Sequence, residues 1–90
     1  MARRIIAHGH VQGVFFRASM TDLAREHGVA GWVRNDPGGT LTAHLEGPEA
    51  AVDKVVAWIR GGGPERARVE RVEEREVPGE GHTTFTVRRR

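Results

Sequence analysis

The chain has 90 residues and no cysteine, which excludes several kinds of chemistry at once. Disulfide bonds, thiolate metal ligands and cysteine nucleophiles all require a thiol. Long hydrophobic runs are also lacking, since no segment approaches the roughly 20 apolar residues needed to span a membrane. Residues 1–7 are too short for a signal peptide. Together with the absence of cysteine, which suits a reducing compartment, these features predict a cytoplasmic protein with no membrane partner.

The chain also lacks a strong excess of positive or negative charge. The chain carries 14 Lys and Arg against 12 Asp and Glu, and Lys54 is its only lysine. Acidic and basic residues are mixed along both halves, and only residues 88–90 form a basic run. A nucleic-acid-binding protein normally shows a one-sided basic surface. We therefore expect no specific nucleic-acid partner, and we expect a monomer that forms one domain over residues 1–90.

Two segments have the spacing of an amphipathic helix. The apolar faces consist of Phe16, Met20, Leu23 and Ala24 in the first helix and of Val52, Val55, Val56 and Ile59 in the second. Gly28 follows the first helix at a position that favours a left-handed cap. Pro48 opens the second helix, and the Gly-Gly-Gly-Pro run of residues 61–64 ends it.

Five segments are predicted to be strands: residues 5–7 with their neighbours, 29–35, 41–46, a stretch between 68 and 77, and 83–88. In the fourth, Val69 and Val72 are out of phase for a period of two, which predicts a β-bulge or an edge position. In the last, Phe85 and Val87 share one face. The order β-α-β-β-α-β plus a final strand predicts an α+β fold of the ferredoxin-like, split β-α-β type. Its antiparallel sheet carries both helices on one face.

Residues 9–17 read Gly-His-Val-Gln-Gly-Val-Phe-Phe-Arg and join the first strand to the first helix. Glycine permits a tight turn, and such a turn aims unpaired N–H groups at one point beside the positive end of the helix dipole. A guanidinium at Arg17 can bind two oxygens of the same anion. The candidate phosphate-binding residues are Gln12, Gly13, Val14, Phe15, Phe16 and Arg17. No Gly-Lys-Ser/Thr ending follows, so neither a triphosphate nor magnesium is implied.

On this pattern alone, a tight turn that binds nothing remains an alternative. We expect Phe15 and Phe16 to be core residues that fix the loop, and Gln12 to contribute its backbone more than its amide. Trp32 and Trp58 are also expected in the core. Arg34 is interpreted as a solvated strand residue, and the alternating charges of residues 65–76 as a solvated edge strand.

Asn35 and the histidines allow a structural and a functional interpretation. Asn35 directly precedes the Asp-Pro-Gly-Gly turn of residues 36–39, where asparagine is favoured simply as a turn residue. His8 and His10 could place two imidazoles on one face of a strand, but no third and fourth ligand is evident, so no metal site is expected. The remaining histidines, which we interpret as incidental, are His27, His44 and His82.

The run at residues 9–17 resembles the first signature of the acylphosphatase family. A second signature begins with Gly-Trp-Val-Arg-Asn at residues 31–35 and continues through Gly39-Thr40-Leu41 to Gly47, with Leu41 where the family usually has valine. The resemblance covers nearly the whole chain. It implies the same fold, with the fifth strand added at a sheet edge.

The resemblance also implies an activity, namely hydrolysis of the carboxyl–phosphate bond of acyl phosphates without metal, cofactor or phosphoenzyme. The arginine matching Arg17 would bind the phosphoryl group, and the asparagine matching Asn35 would hold the attacking water. Inorganic phosphate would then be a product inhibitor. The alternative is a non-catalytic ferredoxin-like module that binds an anion or RNA, although the strands lack the paired aromatic residues that stack bases. Turnover would separate an enzyme from an anion-binding module.

Overall fold

The structure, a computed structural model, describes residues 1–89 and contains two helices and five strands in the predicted order. The elements are β1 (Ala2–His10), α1 (Phe16–Glu26), β2 (Ala30–Asn35), β3 (Leu41–Glu46), α2 (Glu49–Arg60), β4 (Arg68–Glu76) and β5 (Phe85–Arg88). Arg90, the last residue of the basic run, lies outside the described residues. None of the helices in this part of the chain is long and apolar enough to cross a membrane.

The five strands form one sheet in the order β4-β1-β3-β2-β5. The first four strands pair antiparallel, and this order is that of the ferredoxin-like fold, which confirms the predicted class. β5 lies at the edge, as expected, but runs parallel to β2, so the whole sheet is mixed rather than purely antiparallel. Because β4 and β5 occupy opposite edges, the loop of residues 77–84 must cross from one edge of the sheet to the other.

The hydrophobic core lies between the sheet and the two helices. Alternate strand residues and the apolar helix faces form it, including Ile5, Ala7, Val33, Leu41, Ala43, Leu45, Phe85, Phe16, Met20, Val52, Val55 and Ile59. Where the helices meet, the rings of Phe16 and Trp58 pack edge to face. Their centroids are 5.3 Å apart, and the angle between the ring planes is 69°. Burying each large apolar side chain stabilises the fold by about 1.5–3 kcal/mol, which offsets the entropy of ordering the chain.

The structure confirms both the edge position and the β-bulge that were predicted for the fourth strand, β4. It is an edge strand, and its pairing with β1 shifts register so that Glu70 is an extra residue between two pairs, Gly9 with Val69 and His8 with Arg71. The extra residue returns Val69 and Val72 to the same side, where both pack against the core. Gly9 has a φ of 128°, and a Cβ there would collide with the backbone carbonyl oxygen of Arg68.

Both helix ends follow from local sequence. Gly28, with a φ of 72°, takes the left-handed conformation just beyond α1, as predicted. The His27 N–H bonds to the Leu23 carbonyl at 3.1 Å and so satisfies one of the last helical acceptors. α2 begins one residue later than predicted, because Pro48 occupies the capping position and Glu49 is the first helical residue.

The sheet face opposite the helices is not bare. Trp32 is buried there, so its burial was predicted correctly, but it lies outside the main core. Three guanidinium carbons lie 5.0, 4.9 and 4.4 Å from its ring centroid, those of Arg4, Arg34 and Arg88 respectively. Arg34 is partly solvated, as interpreted, with 36% of its side chain exposed, but its guanidinium also lies over this ring and pairs with Asp36, which the sequence did not indicate.

Candidate active site

The turn between β1 and α1 has the geometry of an anion-binding loop. Gly13 has a φ of 75°, and Phe15 at 64° is the only non-glycine residue with positive φ among residues 1–89. α1 starts without a side-chain cap. No acceptor within residues 1–89 bonds to the backbone N–H groups of residues 14–18. These donors and the helix dipole together favour an anion at this point.

A cavity of about 420 Å³ opens beside this turn. Its lining includes Gly13, Phe15, Arg17, Asn35, Val87 and Arg89. An adjoining hollow of about 270 Å³ shares Arg17 and Asn35 and adds the β2–β3 turn together with Arg88. Arg17 and Asn35 are 18 residues apart in the sequence, and the fold places both in the lining of this cavity.

Asn35 is the last residue of β2 and pairs with Leu41 of β3. Leu41 is a core residue, so this register places Asn35 on the helix side of the sheet, toward the start of α1. Its Oδ1 atom is buried and has no hydrogen-bond partner within residues 1–89. An unsatisfied buried amide oxygen is costly and rare, and it is a recognised mark of a functional position.

Arg17 lies in the first turn of α1 and is half-buried. Among residues 1–89, no carboxylate forms an ion pair with its guanidinium, whereas Arg3, Arg4 and Arg34 each pair with an acidic residue. A guanidinium at a helix N-terminus adds to the positive potential of the backbone there. The position suits an oxyanion with two oxygens facing the planar group.

The β2–β3 turn is held rigidly by Asp36. Its carboxylate accepts hydrogen bonds from the Thr40 hydroxyl at 2.8 Å, the Thr42 hydroxyl at 2.6 Å and the Arg34 guanidinium at 3.0 Å. Burial raises the pKa of Asp36, but these donors outweigh it, and the net pKa lies below its ordinary value. The carboxylate therefore stays ionised and fixes the backbone directly after Asn35.

The side chain of Gln12 has a structural role that the sequence did not indicate. Its amide nitrogen donates to the carbonyl oxygens of Asp36 at 2.8 Å and Thr40 at 2.9 Å, and so ties the anion-binding loop to the β2–β3 turn. Gln12 and Val14 do not line the cavity, whereas Gly13, Phe16 and Arg17 do. No sequence pattern indicated this bond, because the partners are backbone atoms 24 and 28 residues away.

The two adjacent phenylalanines have opposite environments. Phe16 is buried in the core, as predicted. Phe15 was wrongly expected there, because its side chain is 73% exposed. Its left-handed backbone turns the side chain out of the core just before the helix begins, and the ring lies in the cavity wall. Val87 and Arg89, also in that wall, were not predicted as site residues, since only the parallel pairing of β5 with β2 brings them there.

A model of the acylphosphatase family matches residues 3–87. The chain belongs to this family. Over 85 residues it is 47% identical to an acylphosphatase of Haloquadratum walsbyi, with 94% of this chain and 90% of that protein covered. The acylphosphatase structure from Bacillus subtilis matches with a TM-score of 0.89 at 33% identity over 96% of each chain. That from Coxiella burnetii matches with a TM-score of 0.91 at 32% identity, covering 97% of this chain and 90% of the other.

Membership confirms the resemblance carried by residues 9–17 and 31–47. This chain is therefore an enzyme. Its family and its fold support the hydrolysis of small-molecule acyl phosphates. Residues of both signatures line the cavity at the start of α1, and Val87 and Arg89 from the end of the chain complete its lining, with Arg89 beyond the matched region.

A second polar cluster lies on the open face of this acylphosphatase-family fold, away from the cavity. His44, interpreted as incidental, is fully buried and donates from Nε2 to the Glu46 carboxylate at 2.7 Å. Glu46 also accepts the backbone N–H groups of Glu80, Gly81 and His82. This cluster anchors the loop that crosses the sheet, so neither His44 nor His82 is incidental.

Burial raises the pKa of Glu46, but the backbone N–H of Glu80, the His44 ring and the backbone N–H of His82 outweigh it and lower the pKa to about 2. For Glu80, bonds from His82 and Trp32 lower the pKa to about 2 against a smaller opposing effect of desolvation. Both carboxylates are therefore ionised at neutral pH and hold their hydrogen-bond donors.

His44, Glu46 and His82 bring three possible metal ligands within 4.8 Å, and no other such group occurs among residues 1–89. A metal fits poorly here. The Arg4 guanidinium donates to His44 Nδ1 at 3.2 and 3.3 Å, so Nδ1 is an acceptor and Nε2 carries the proton. A metal on Nε2 would move that proton to Nδ1, directly against the Arg4 donors. Hydrogen bonding alone accounts for this cluster.

Proposed function

We propose that the chain hydrolyses acyl phosphates by direct attack of a water molecule that Asn35 positions on a phosphoryl group held by Arg17 and the loop amides. The reaction is R–CO–OPO₃²⁻ + H₂O → R–COO⁻ + H₂PO₄⁻. The bond between phosphorus and the carboxyl oxygen breaks, water oxygen bonds to phosphorus, and a proton of the water passes to the phosphate. The observation that carries this proposal is the buried, unpartnered Oδ1 of Asn35 in the cavity that Arg17 also lines.

The leaving group explains why so few residues are needed. A carboxylate is a weak base, so its departure requires little protonation and no general acid. In a loose phosphoryl-transfer transition state, charge spreads over the equatorial oxygens, and positioning and electrostatics supply nearly all the catalysis. The N–H groups of residues 14–18 and the Arg17 guanidinium supply that stabilisation at the helix N-terminus. The residues assigned to the phosphate are Gln12, Gly13, Val14, Phe15, Phe16 and Arg17, chiefly through the backbone.

Asn35 acts on the nucleophile in this proposal. An amide side chain offers one acceptor and two donor hydrogens and does not titrate, so it can hold a water in one orientation. The Asp36 hydrogen bonds support this role, because they restrict the backbone that carries the amide. Fixing the line of attack lowers the barrier without strengthening the binding of phosphate.

The deciding experiment separates kcat from phosphate affinity in Asn35→Ala. We expect kcat for benzoyl phosphate, measured in excess EDTA, to fall by a factor on the order of 10²–10⁴. The Ki of inorganic phosphate should change less than threefold, because the loop and Arg17 remain. Asn35→Asp should be at least as damaging, since a carboxylate repels the anionic substrate.

Other outcomes reject parts of the proposal. If Asn35→Ala unfolds at a lower temperature while its folded fraction keeps wild-type kcat, Asn35 is only a turn residue. If the wild type binds phosphate but turns over no acyl phosphate, the chain is an anion-binding module. Loss of activity in EDTA, or equal activity on p-nitrophenyl phosphate, would reject the metal-independent mechanism and its dependence on a weakly basic leaving group.

A further inference from the structure

Exposed hydrophobic side chains converge on the mouth of the cavity. Within residues 1–89, only Met1, Phe15 and Val87 are large apolar residues with substantial exposure. Phe15 is 73% exposed and Val87 39%, and both line the cavity that contains Arg17 and Asn35. They reach it from different elements, since Phe15 precedes α1 and Val87 lies on β5. Adjacent exposed apolar groups beside a polar site are typical of ligand contact.

Phe15 is not only exposed but also has a strained backbone conformation. Its φ of 64° is a left-handed conformation that costs a bulky residue about 1–2 kcal/mol and glycine nothing. The ring does not repay this cost by core packing, because most of it faces solvent. Residues with strained backbone angles cluster at active sites and ligand-binding loops.

The position of these side chains specifies which part of a substrate they would meet. Phe15 lies within the loop whose N–H groups are proposed to hold the phosphoryl group, and Val87 belongs to the strand that pairs with the strand ending at Asn35. In an acyl phosphate, the carbonyl group joins the acyl substituent R directly to the phosphate. R must therefore lie within a few bond lengths of the loop, beside this apolar wall.

We propose that Phe15 and Val87 form an apolar platform for the acyl group, so that the preferred substrates are acyl phosphates with an aromatic or branched aliphatic R. This inference rests on the proposed function. Contact between R and these two side chains removes apolar surface of both from water, and this stabilises the complex in proportion to the apolar area that is buried. The competing possibility is an anionic R bound by Arg88 and Arg89, which line the adjoining hollow.

The first test compares benzoyl phosphate with acetyl phosphate in the wild type, Phe15→Gly and Phe15→Tyr. Glycine suits the positive φ and keeps the backbone N–H, so it removes the ring while preserving the loop. We expect the ratio of the two kcat/KM values to fall about 5- to 10-fold in Phe15→Gly and to stay within twofold in Phe15→Tyr. Val87→Thr, nearly the same shape, should lower the ratio by about twofold. Differences in leaving-group reactivity cancel between variants.

The second test uses phosphonates that cannot be hydrolysed, so it does not depend on turnover. Phenacylphosphonate and acetonylphosphonate keep the carbonyl and the anion and replace the bridging oxygen with CH₂. The affinity of the wild type, measured by calorimetry, should favour the phenyl compound by about 5- to 10-fold, and Phe15→Gly should remove most of that preference. If no acyl phosphate is turned over, the proposed function fails, and this measurement still decides the platform.

Two results would overturn the platform. Equal losses for both substrates and both phosphonates in Phe15→Gly would mean that Phe15 acts only through the shape of the loop. A preference for succinyl phosphate over benzoyl phosphate, abolished by Arg89→Ala and untouched by Phe15→Gly, would assign recognition of the acyl group to the cationic hollow.

Discussion

The side-chain amide of Gln12 lies 2.8 Å from the carbonyl oxygen of Asp36, and this hydrogen bond joins the anion-binding loop to the turn that follows Asn35. A second bond from the same nitrogen reaches Thr40 at 2.9 Å. The two halves of the candidate active site, with Arg17 on one side and Asn35 on the other, are thus connected by a single amide group. In a reaction governed by positioning, such a connection affects rate more than affinity.

Without the Gln12 amide, the attacking water and the phosphoryl group should be held less firmly in position relative to each other. We expect Gln12→Ala to lower kcat about tenfold and to destabilise the fold by about 1 kcal/mol, or about 4–8 °C in Tm. Gln12→Glu keeps the shape but faces two carbonyl oxygens with a carboxylate, so its losses should be at least as large. Steady-state kinetics and thermal melts of both variants provide the check. Wild-type kcat in a folded Gln12→Ala would show that the bond serves stability alone.

Arg17 should be required for its planar shape as well as its charge. Arg17→Ala should remove measurable activity, and Arg17→Lys should lower kcat/KM at least 100-fold, because an ammonium cannot face two phosphoryl oxygens with parallel donors. The Ki of inorganic phosphate should rise in both. Arg60→Lys, on the exposed end of α2, is the matched control and should leave the kinetics unchanged. Near-normal activity of Arg17→Lys would mean that charge alone matters.

Inorganic phosphate should inhibit competitively, because the product fills the same loop as the phosphoryl group of the substrate. In a phosphate titration followed by amide chemical shifts, the largest changes should centre on residues 12–17 and 35. The N–H groups of residues 14–18 are expected to respond most, since they gain an acceptor. Changes centred instead on His44 and its neighbours would place the anion on the opposite face of the sheet.

Glu46 should make stability depend on pH in the acid range. Its folded pKa of about 2 lies below its ordinary value of 4.5, so the unfolded chain binds its proton more readily. Its contribution is therefore fully present above about pH 4.5 and is lost as the pH falls toward 2. Glu46→Gln should lower Tm at pH 7 and flatten its dependence on pH between 5 and 2. Glu65→Gln, which changes an exposed glutamate, is the control and should follow the wild-type curve. Parallel curves for Glu46→Gln and wild type would contradict this assignment.

Much of the architecture could be predicted because it depends on local pattern. The helical spacing from Phe16 to Ala24, the left-handed position of Gly28 and the mismatched phase of Val69 and Val72 each concern residues close together in the chain. Physical rules relating such spacings to helices, caps and bulges act over a few residues. The two signatures likewise singled out Arg17 and Asn35, which the structure places in the lining of one cavity.

Tertiary structure decided the rest, since it depends on contacts between distant residues. Periodicity placed Phe16 on the apolar face of α1, but it did not show that the Phe15 ring points outward, because that depends on the left-handed backbone angle of Phe15 just before the helix. The Gln12 bond needs the β2–β3 turn to lie beside the loop. The buried environment of His44 requires residues 77–84 to cross the sheet, which follows only from the placement of β4 and β5 at opposite edges. Sheet order and register bring such residues together, and a local pattern carries no information about them.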